Sequence, residues 1–214
     1  MQKAVLCYGD SNTYGYNPSD GLRYPRDVRW TGRLQMLLGD DYRVIEEGCN
    51  GRTSVFEDPI EGWKCGLDYL KPCLNSHKPV DLVILMLGSN DLKDVFHASA
   101  EDIANGVAQL VKTIQEFTKE KQEKAAEILL VSPAEVAEGI TESPFAMSFQ
   151  WDAVERSRQF PELFQKVAET YGCRFLNAAE YATASKEDSL HFTAEAHIAL
   201  AEALAREIRS MEQE

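Results

Sequence analysis

The fold of this chain is decided by the stretch DLVILMLGSND, residues 81–91. Its apolar residues follow one another without alternation, which is typical of a strand buried on both faces of a parallel sheet. The run is far too short to cross a membrane as a helix. A glycine stops it, and polar residues follow at once. The sequence therefore predicts a central parallel strand whose carboxyl end carries polar groups.

The remaining chain predicts four more strands, each followed by a helical pattern. The strands are expected at residues 3–8, 42–46, 81–87, 127–131 and 174–177, and the helices at 28–38, 67–74, 103–117, 153–171 and 193–211. Five alternations of strand and helix predict a three-layer α/β/α sandwich around a five-stranded parallel sheet. No repeat or linker divides the chain, so residues 1–214 are expected to form one domain. The irregular stretch 133–151 is long enough to be a lid or binding loop.

The composition restricts the class of partner. The chain has 214 residues, with 22 Lys and Arg against 35 Asp and Glu, a formal net charge of -13 at pH 7. Such a surface repels phosphate backbones and anionic lipid, so neither a nucleic acid nor a membrane is expected as partner. We expect a small-molecule substrate instead. The five cysteines have no zinc-site spacing and predict free thiols in a reducing cytoplasm, and no metal or cofactor is expected.

Four polar segments are expected at the edge of the sheet where ligands bind in parallel α/β folds. They read GDSNTYG at 9–15, GCNGRT at 48–53, GSND at 88–91 and DSLHFT at 188–193. Each segment alone is compatible with an ordinary turn or helix cap. Four of them at one edge, in this order, favour a common site.

The residues of these segments together suit nucleophilic acyl transfer. Ser11 needs a base to take its hydroxyl proton, and His191 is the candidate. Asp188, three residues earlier, can fix the orientation and tautomer of that imidazole. An oxyanion needs hydrogen-bond donors, and the candidates are the amides of Ser11 and Gly51 and the side chain of Asn90. The sequence thus predicts a serine esterase.

These four segments resemble the blocks of the SGNH hydrolase superfamily, the GDSL esterases and lipases, which run Ser, Gly, Asn, His in chain order. The further stretches DVRWTG at 27–32, VIEEG at 44–48 and MLGSND at 86–91 are similar to its arylesterase and acyltransferase branch. The resemblance implies a flavodoxin-like strand order and hydrolysis of short-chain acyl or aryl esters through an acyl-enzyme on Ser11. It also implies transfer of the acyl group to alcohols, and assembly into homo-oligomers.

The substrate pocket is the least determined part of the site. The founding Gly-Asp-Ser-Leu motif of the family has leucine where this chain has Asn12, so Asn12 is expected to line the pocket. Aromatic side chains near the polar segments are expected at its entrance, although aromatic residues in loops often serve packing alone. These candidates for substrate binding are Tyr14, Tyr16, Trp63 and Trp151.

Two alternatives remain at this stage. A carbohydrate O-deacetylase would use the same fold and the same chemistry on an acetylated sugar. A non-catalytic flavodoxin-like binder would use residues 11–13 to hold a flavin phosphate, but this second alternative leaves Gly51, Asn90 and the pair Asp188 and His191 unexplained.

Overall fold

The computed structural model describes residues 2–213, and its five strands form one parallel sheet in the order β2-β1-β3-β4-β5. The strands are β1 (Lys3–Gly9), β2 (Tyr42–Gly48), β3 (Leu82–Met86), β4 (Glu127–Ser132) and β5 (Arg174–Asn177). The predicted five-stranded parallel sheet and its flavodoxin-like order are confirmed. None of the helices in this described part of the chain is long and apolar enough to span a membrane.

Seven α-helices accompany the sheet in the described residues. They are α1 (Ser11–Tyr14), α2 (Trp30–Leu38), α3 (Gly66–His77), α4 (Ala100–Lys121), α5 (Asp152–Ser157), α6 (Phe160–Tyr171) and α7 (Ala194–Met211). The longest, α4, begins with a capping box in which Ser99 and Asp102 satisfy each other's backbone amides.

Successive side chains along the buried strands face two separate cores, one on each side of the sheet. On β1, Leu6 and Tyr8 face a core shared with α3, α4 and α6. Val5 and Cys7 face the opposite core, which α2 and α7 cover. Because side chains of a strand point to opposite faces in turn, a strand that is apolar at every position can fill both cores.

One predicted helix is interrupted. Residues 153–171 were expected to form a single helix, but α5 ends at Ser157 and α6 begins at Phe160. Pro161 explains the break, because its ring nitrogen cannot donate to the carbonyl of Ser157 and its ring would clash there. The stretch 133–151 is irregular as predicted, apart from one short 3₁₀ turn at Glu138–Glu142.

The carboxyl ends of β1, β2 and β3 lie side by side. Gly9 pairs in register with Gly48 on one side and with Met86 on the other. The short helix α1 leaves β1 directly and lies against the end of β2, so close that a Cβ on Gly48 would stand 2.1 Å from the amide nitrogen of Tyr14. Glycine at the strand ends therefore allows α1 to lie at this edge.

Candidate active site

The backbone around Ser11 is held by the residue before it. Asp10 caps α1: its side chain accepts a hydrogen bond of 3.0 Å from the amide of Asn12. Its carbonyl accepts bonds from the amides of Thr13 and Tyr14. Gly15 ends the helix in the left-handed conformation, at φ 89°. These contacts place Ser11 in the first turn of a helix at the edge of the sheet.

A continuous path of hydrogen bonds joins three side chains that are distant in sequence. The Oγ of Ser11 lies 2.8 Å from Nε2 of His191, and Nδ1 of His191 lies 2.6 Å from Oδ2 of Asp188. An ionised carboxylate can only accept, so Nδ1 carries the imidazole proton and Nε2 is left to accept the proton of the serine hydroxyl. All three side chains are buried.

Asp188 is fixed by its own loop. Its Oδ1 accepts bonds from the amides of Leu190 and His191, at 3.0 and 2.9 Å, and from the hydroxyl of Ser185 at 3.0 Å. Burial raises the pKa of the Asp188 carboxyl, but the bonds and charge from His191 outweigh burial and hold it below its usual range. The carboxylate is therefore ionised at neutral pH and orients the imidazole.

The three expected oxyanion donors lie beside this path. Ser11, Gly51 and Asn90 all line the cavity that also contains His191. Gly51 has φ 79°, a conformation that favours glycine, and no bond within residues 2–213 uses its amide. Asn90 donates from Nδ2 to the carbonyl of Arg52 at 3.2 Å, which fixes the orientation of its side-chain amide. That side chain has two N–H groups, so one donor is left for the cavity.

Two further aspartates at this edge are buried and brace the loops. Asp91 accepts bonds from the amide of Ser54 at 2.9 and 3.1 Å and from its hydroxyl. Burial raises the pKa of Asp91 to about 6, and burial likewise raises the pKa of Asp10 to about 6. Both carboxyls therefore hold their proton to a higher pH than a carboxyl in water would.

The cavity above Ser11 is small and has one aromatic wall. Its volume is about 190 Å³. The ring of Tyr16 lies over His191 with 4.3 Å between ring centroids, and Phe145 meets the same imidazole at 5.3 Å. Leu190 and the buried Phe149 complete this apolar side. A cavity of this size suits a short acyl group.

Another part of the cavity wall is polar, and sequence reasoning missed it. Lys93 is buried and its Nζ lies 2.8 Å from Oδ2 of Asp58 and 3.0 Å from Oε1 of Glu61. Lys64 pairs with the second oxygen of Glu61 at 3.1 Å and donates to the carbonyl of Asn50 at 2.8 Å. Lys93 follows the GSND segment by two residues, a proximity that could have marked it in the sequence.

Of the five expected substrate-binding residues, only Tyr16 lines the cavity. Asn12 points away from it: its side chain donates to the carbonyl of Leu190 and accepts from the amide of Phe192. Tyr14 lies under the guanidinium of Arg23.

The two expected tryptophans also lie outside this cavity. Trp63 is 75% exposed and packs against Lys64, with Nζ 4.0 Å from the ring centroid, at the edge of a different cavity. Trp151 is 70% exposed. Large aromatic residues in these loops are held by neighbouring loop residues or face solvent, so their proximity in sequence to the polar segments does not bring them to Ser11.

Among residues 2–213, the two clusters of side chains with ligand-like spacing for a metal contain no residue of the Ser11 cavity.

Comparisons with known proteins identify the family of this chain. The profile of the GDSL-like Lipase/Acylhydrolase family matches residues 7–199. A comparison with curated proteins gave no match. The carbohydrate acetylesterase Est24 from Sinorhizobium meliloti shares 35% identity at a TM-score of 0.92, over 98% of this chain and 100% of its own. The native aryl esterase of M. smegmatis shares 35% identity at a TM-score of 0.90, over 97% of this chain and 99% of its own. A lipase/acylhydrolase from Enterococcus faecalis, 18% identical, shares the fold at a TM-score of 0.70 over 98% of this chain and 97% of its own.

The buried carboxyl of Asp10 generates a prediction about stability and pH. Its pKa is near 6 in the fold against an ordinary 3.8, so the folded protein keeps a proton that the unfolded chain has lost between these values. The free energy of unfolding should therefore fall by about 2 kcal/mol, relative to Asp10→Asn, as the pH rises from about 4 to about 6. Asparagine is chosen because it keeps the helix cap.

Urea unfolding at several pH values measures this difference. The exposed residue Asp40 offers the control, because Asp40→Asn should give a curve parallel to that of the unaltered protein through the same range. Parallel curves for Asp10→Asn as well would contradict the assignment of a raised pKa to Asp10.

Proposed function

We propose that this chain, which belongs to the GDSL-like lipase/acylhydrolase family and is a carboxylic ester hydrolase, cleaves short-chain acyl and aryl esters through an acyl-enzyme on Ser11. The observation that carries the proposal is the path of hydrogen bonds from Ser11 through His191 to Asp188. Strand β1 and helix α7, which are far apart in sequence, pack into the same core. We therefore take residues 1–214 as one catalytic domain.

The reaction proceeds in two halves. Nε2 of His191 takes the hydroxyl proton while Oγ of Ser11 forms a bond to the ester carbonyl carbon. The negative charge that develops on the carbonyl oxygen is stabilised by the amides of Ser11 and Gly51 and by Nδ2 of Asn90. The carbon–oxygen bond to the alcohol then breaks, and the alcohol leaves with the proton from His191. Water repeats the sequence on the acyl-enzyme and releases the acid.

Cavity size sets the expected acyl group. About 190 Å³ is below the usual range for drug-sized ligands. The apolar side formed by Tyr16, Phe145 and Leu190 buries a few methyl or methylene groups at most. Acetyl to butyryl esters should therefore be preferred to octanoyl and longer esters.

The apolar and polar parts of the cavity wall favour different alcohols, either as acceptor of the acyl group or as leaving group of the ester. Tyr16 and Phe145 can bury the carbons of an alcohol, at about 0.8 kcal/mol per methylene, which supports acyl transfer to alcohols in competition with water. Glu61 and Lys93 present charged groups that can hydrogen-bond hydroxyls. That polar wall favours a second candidate function, the hydrolysis of O-acetyl groups on carbohydrates, an activity named for one structural relative.

The first prediction concerns the nucleophile. An alkyl phosphonate ester should add one covalent group per chain, on the peptide that contains Ser11, and should abolish hydrolysis of p-nitrophenyl acetate. Ser11→Ala should take no label and lose hydrolysis, while Ser89→Ala, a buried serine at the same edge, should keep both. Label on another residue, or full activity in Ser11→Ala, would overturn the proposal.

The second prediction concerns the oxyanion. Asn90→Ala should lower kcat by roughly 10²–10³ with little change in KM, because its bond strengthens only as charge develops on the substrate oxygen. Asn50→Ala is the matched control and should leave kcat nearly unchanged, because Asn50 lines the same cavity and no described hydrogen bond uses its side chain. A variant at Asn90 that changes KM alone would show Asn90 to be a binding residue.

The third prediction concerns the acceptor. With vinyl acetate and rising butanol, part of the acetyl group should appear as butyl acetate, and Tyr16→Ala should lower the ratio of ester to acid. Both products come from the same acyl-enzyme, so this ratio does not depend on how fast Ser11 is acylated. Trp63→Ala, outside the cavity, should leave the ratio unchanged. Acid alone at every butanol concentration would remove acyl transfer, and preferential acetylation of a sugar would favour the second candidate.

A further inference from the structure

Three potential metal ligands meet outside the Ser11 cavity. Glu47 is the penultimate residue of β2, and Cys73 and His77 lie on α3. Residues four apart on a helix stand on the same face, one turn above the other. The cluster thus takes a carboxylate from the sheet and a thiol and an imidazole from the helix packed against it. The sequence analysis considered cysteine spacing alone and missed this cluster. Its signal was a cysteine inside a predicted helix and a histidine four residues later, just beyond the predicted end of that helix.

The geometry is close to that of a coordination site. Nε2 of His77 lies 2.8 Å from Oε1 of Glu47, and the ligand atoms of all three residues lie within 4.8 Å of one another. Tetrahedral Zn²⁺ holds oxygen and nitrogen at about 2.0–2.1 Å and sulfur at about 2.3 Å, which sets ligand atoms roughly 3.3–3.6 Å apart. Small rotations about side-chain bonds therefore suffice to admit an ion.

We propose that Glu47, Cys73 and His77 bind one Zn²⁺, with a water molecule as the fourth ligand. The donor set decides the metal. A thiolate and an imidazole suit Zn²⁺, whereas Mg²⁺ and Ca²⁺ prefer oxygen ligands alone. This inference is independent of the proposed esterase mechanism, because none of the three residues lines the Ser11 cavity.

The charges around the cluster are compatible with an ion there. When Zn²⁺ binds, Cys73 loses its thiol proton to solvent and coordinates as a thiolate. The charge of Zn²⁺ then balances those of one thiolate and one carboxylate. The nearby guanidinium of Arg52, which lies over the rings of Tyr8 and Tyr69, meets a neutral centre.

The site is reachable from solvent and has a structural consequence. Glu47 lies at the edge of a surface cavity that Arg52 and Tyr69 also line, and the side chain of His77 is 29% exposed. A bound ion would join the carboxyl end of β2 to α3. The segment that carries Gly51 leaves β2 directly after this point, so the ion would stabilise the base of that segment.

A second cluster serves as the internal control. Glu57, Cys65 and Asp68 also have ligand-like spacing, but both carboxylates are exposed and the thiol of Cys65 donates to the carbonyl of Val55 at 3.4 Å. Exposed carboxylates are well hydrated and gain less from an ion. The first cluster is therefore the one assigned to the metal.

The experiment is a titration of chelator-treated protein with Co²⁺, which replaces Zn²⁺ and reports its ligands by colour. One equivalent should give the intense visible bands of a tetrahedral site and a thiolate-to-cobalt charge-transfer band, and Zn²⁺ should remove both. His77→Gln should abolish the bands, and this variant keeps the fold because His77 is partly exposed. Cys73→Ala should abolish the charge-transfer band. Cys65→Ala should leave both bands unchanged.

Thermal unfolding supplies a second readout. Zn²⁺ at about a hundredfold above its Kd should raise the Tm of the unaltered protein by roughly 5–10 °C, and should not raise that of His77→Gln. No cobalt bands in the unaltered protein would overturn the proposal and leave Glu47 and His77 as a hydrogen-bonded pair beside a core thiol. Bands lost only in Cys65→Ala would also overturn it. Neither result bears on phosphonate labelling of Ser11.

Discussion

The arrangement of the site depends on how closely helix α1 approaches the ends of two neighbouring strands. A Cβ on Gly9 would stand 2.0 Å from Oγ1 of Thr13, and one on Gly48 would stand 2.1 Å from the amide of Tyr14. Both distances are far below van der Waals contact, so any larger residue would push α1 away from the sheet. Gly9 and Gly48 are partners in the parallel register, so α1 contacts the ends of both strands at the same level of the sheet. Ser11 lies in the first turn of this helix and takes its position from it.

The same physical device then recurs in three loops at this edge. Asp10 accepts the amide of Asn12, Asp91 accepts that of Ser54, and Asp188 accepts those of its two following neighbours, Leu190 and His191. Each aspartate is buried, and each stands beside or within three residues of a proposed functional group. A buried carboxylate that accepts backbone amides fixes a loop more firmly than a neutral acceptor would, because such bonds are charge-assisted. The raised pKa values of Asp10 and Asp91 are the cost of placing that charge away from water.

The apolar runs of the sequence predicted the strands and the polar residues at their ends, because these features depend on local pattern and burial. The strand order came from the resemblance to the SGNH hydrolase superfamily. It did not predict which aromatic side chains reach the cavity. Trp63 adopts a positive φ of 42° and packs on Lys64, and the direction of such a side chain follows from its loop conformation, which no periodicity encodes. Asn12 was expected in the pocket, but its side chain links the loop of Ser11 to the backbone at Leu190 and Phe192. The polar wall around Lys93 was missed because it assembles from segments about thirty residues apart.

Gly51 is the proposed oxyanion donor whose position rests most on side chains. The segment between β2 and α3 contains no strand or helix. An isolated bridge between Thr53 and Cys65 closes it, and the amide of Arg52 donates to the carbonyl of Cys49 at 3.1 Å. Long cationic side chains hold the backbone further: Arg52 donates to the carbonyl of Gly9 at 2.9 Å and to that of Glu47, and Lys64 donates to the carbonyl of Asn50. Each such contact adds only a modest net free energy, about 1–3 kcal/mol, so no single one fixes the loop. The cooperation of several contacts, at both ends of the segment, is what can hold the Gly51 amide toward the cavity without regular secondary structure.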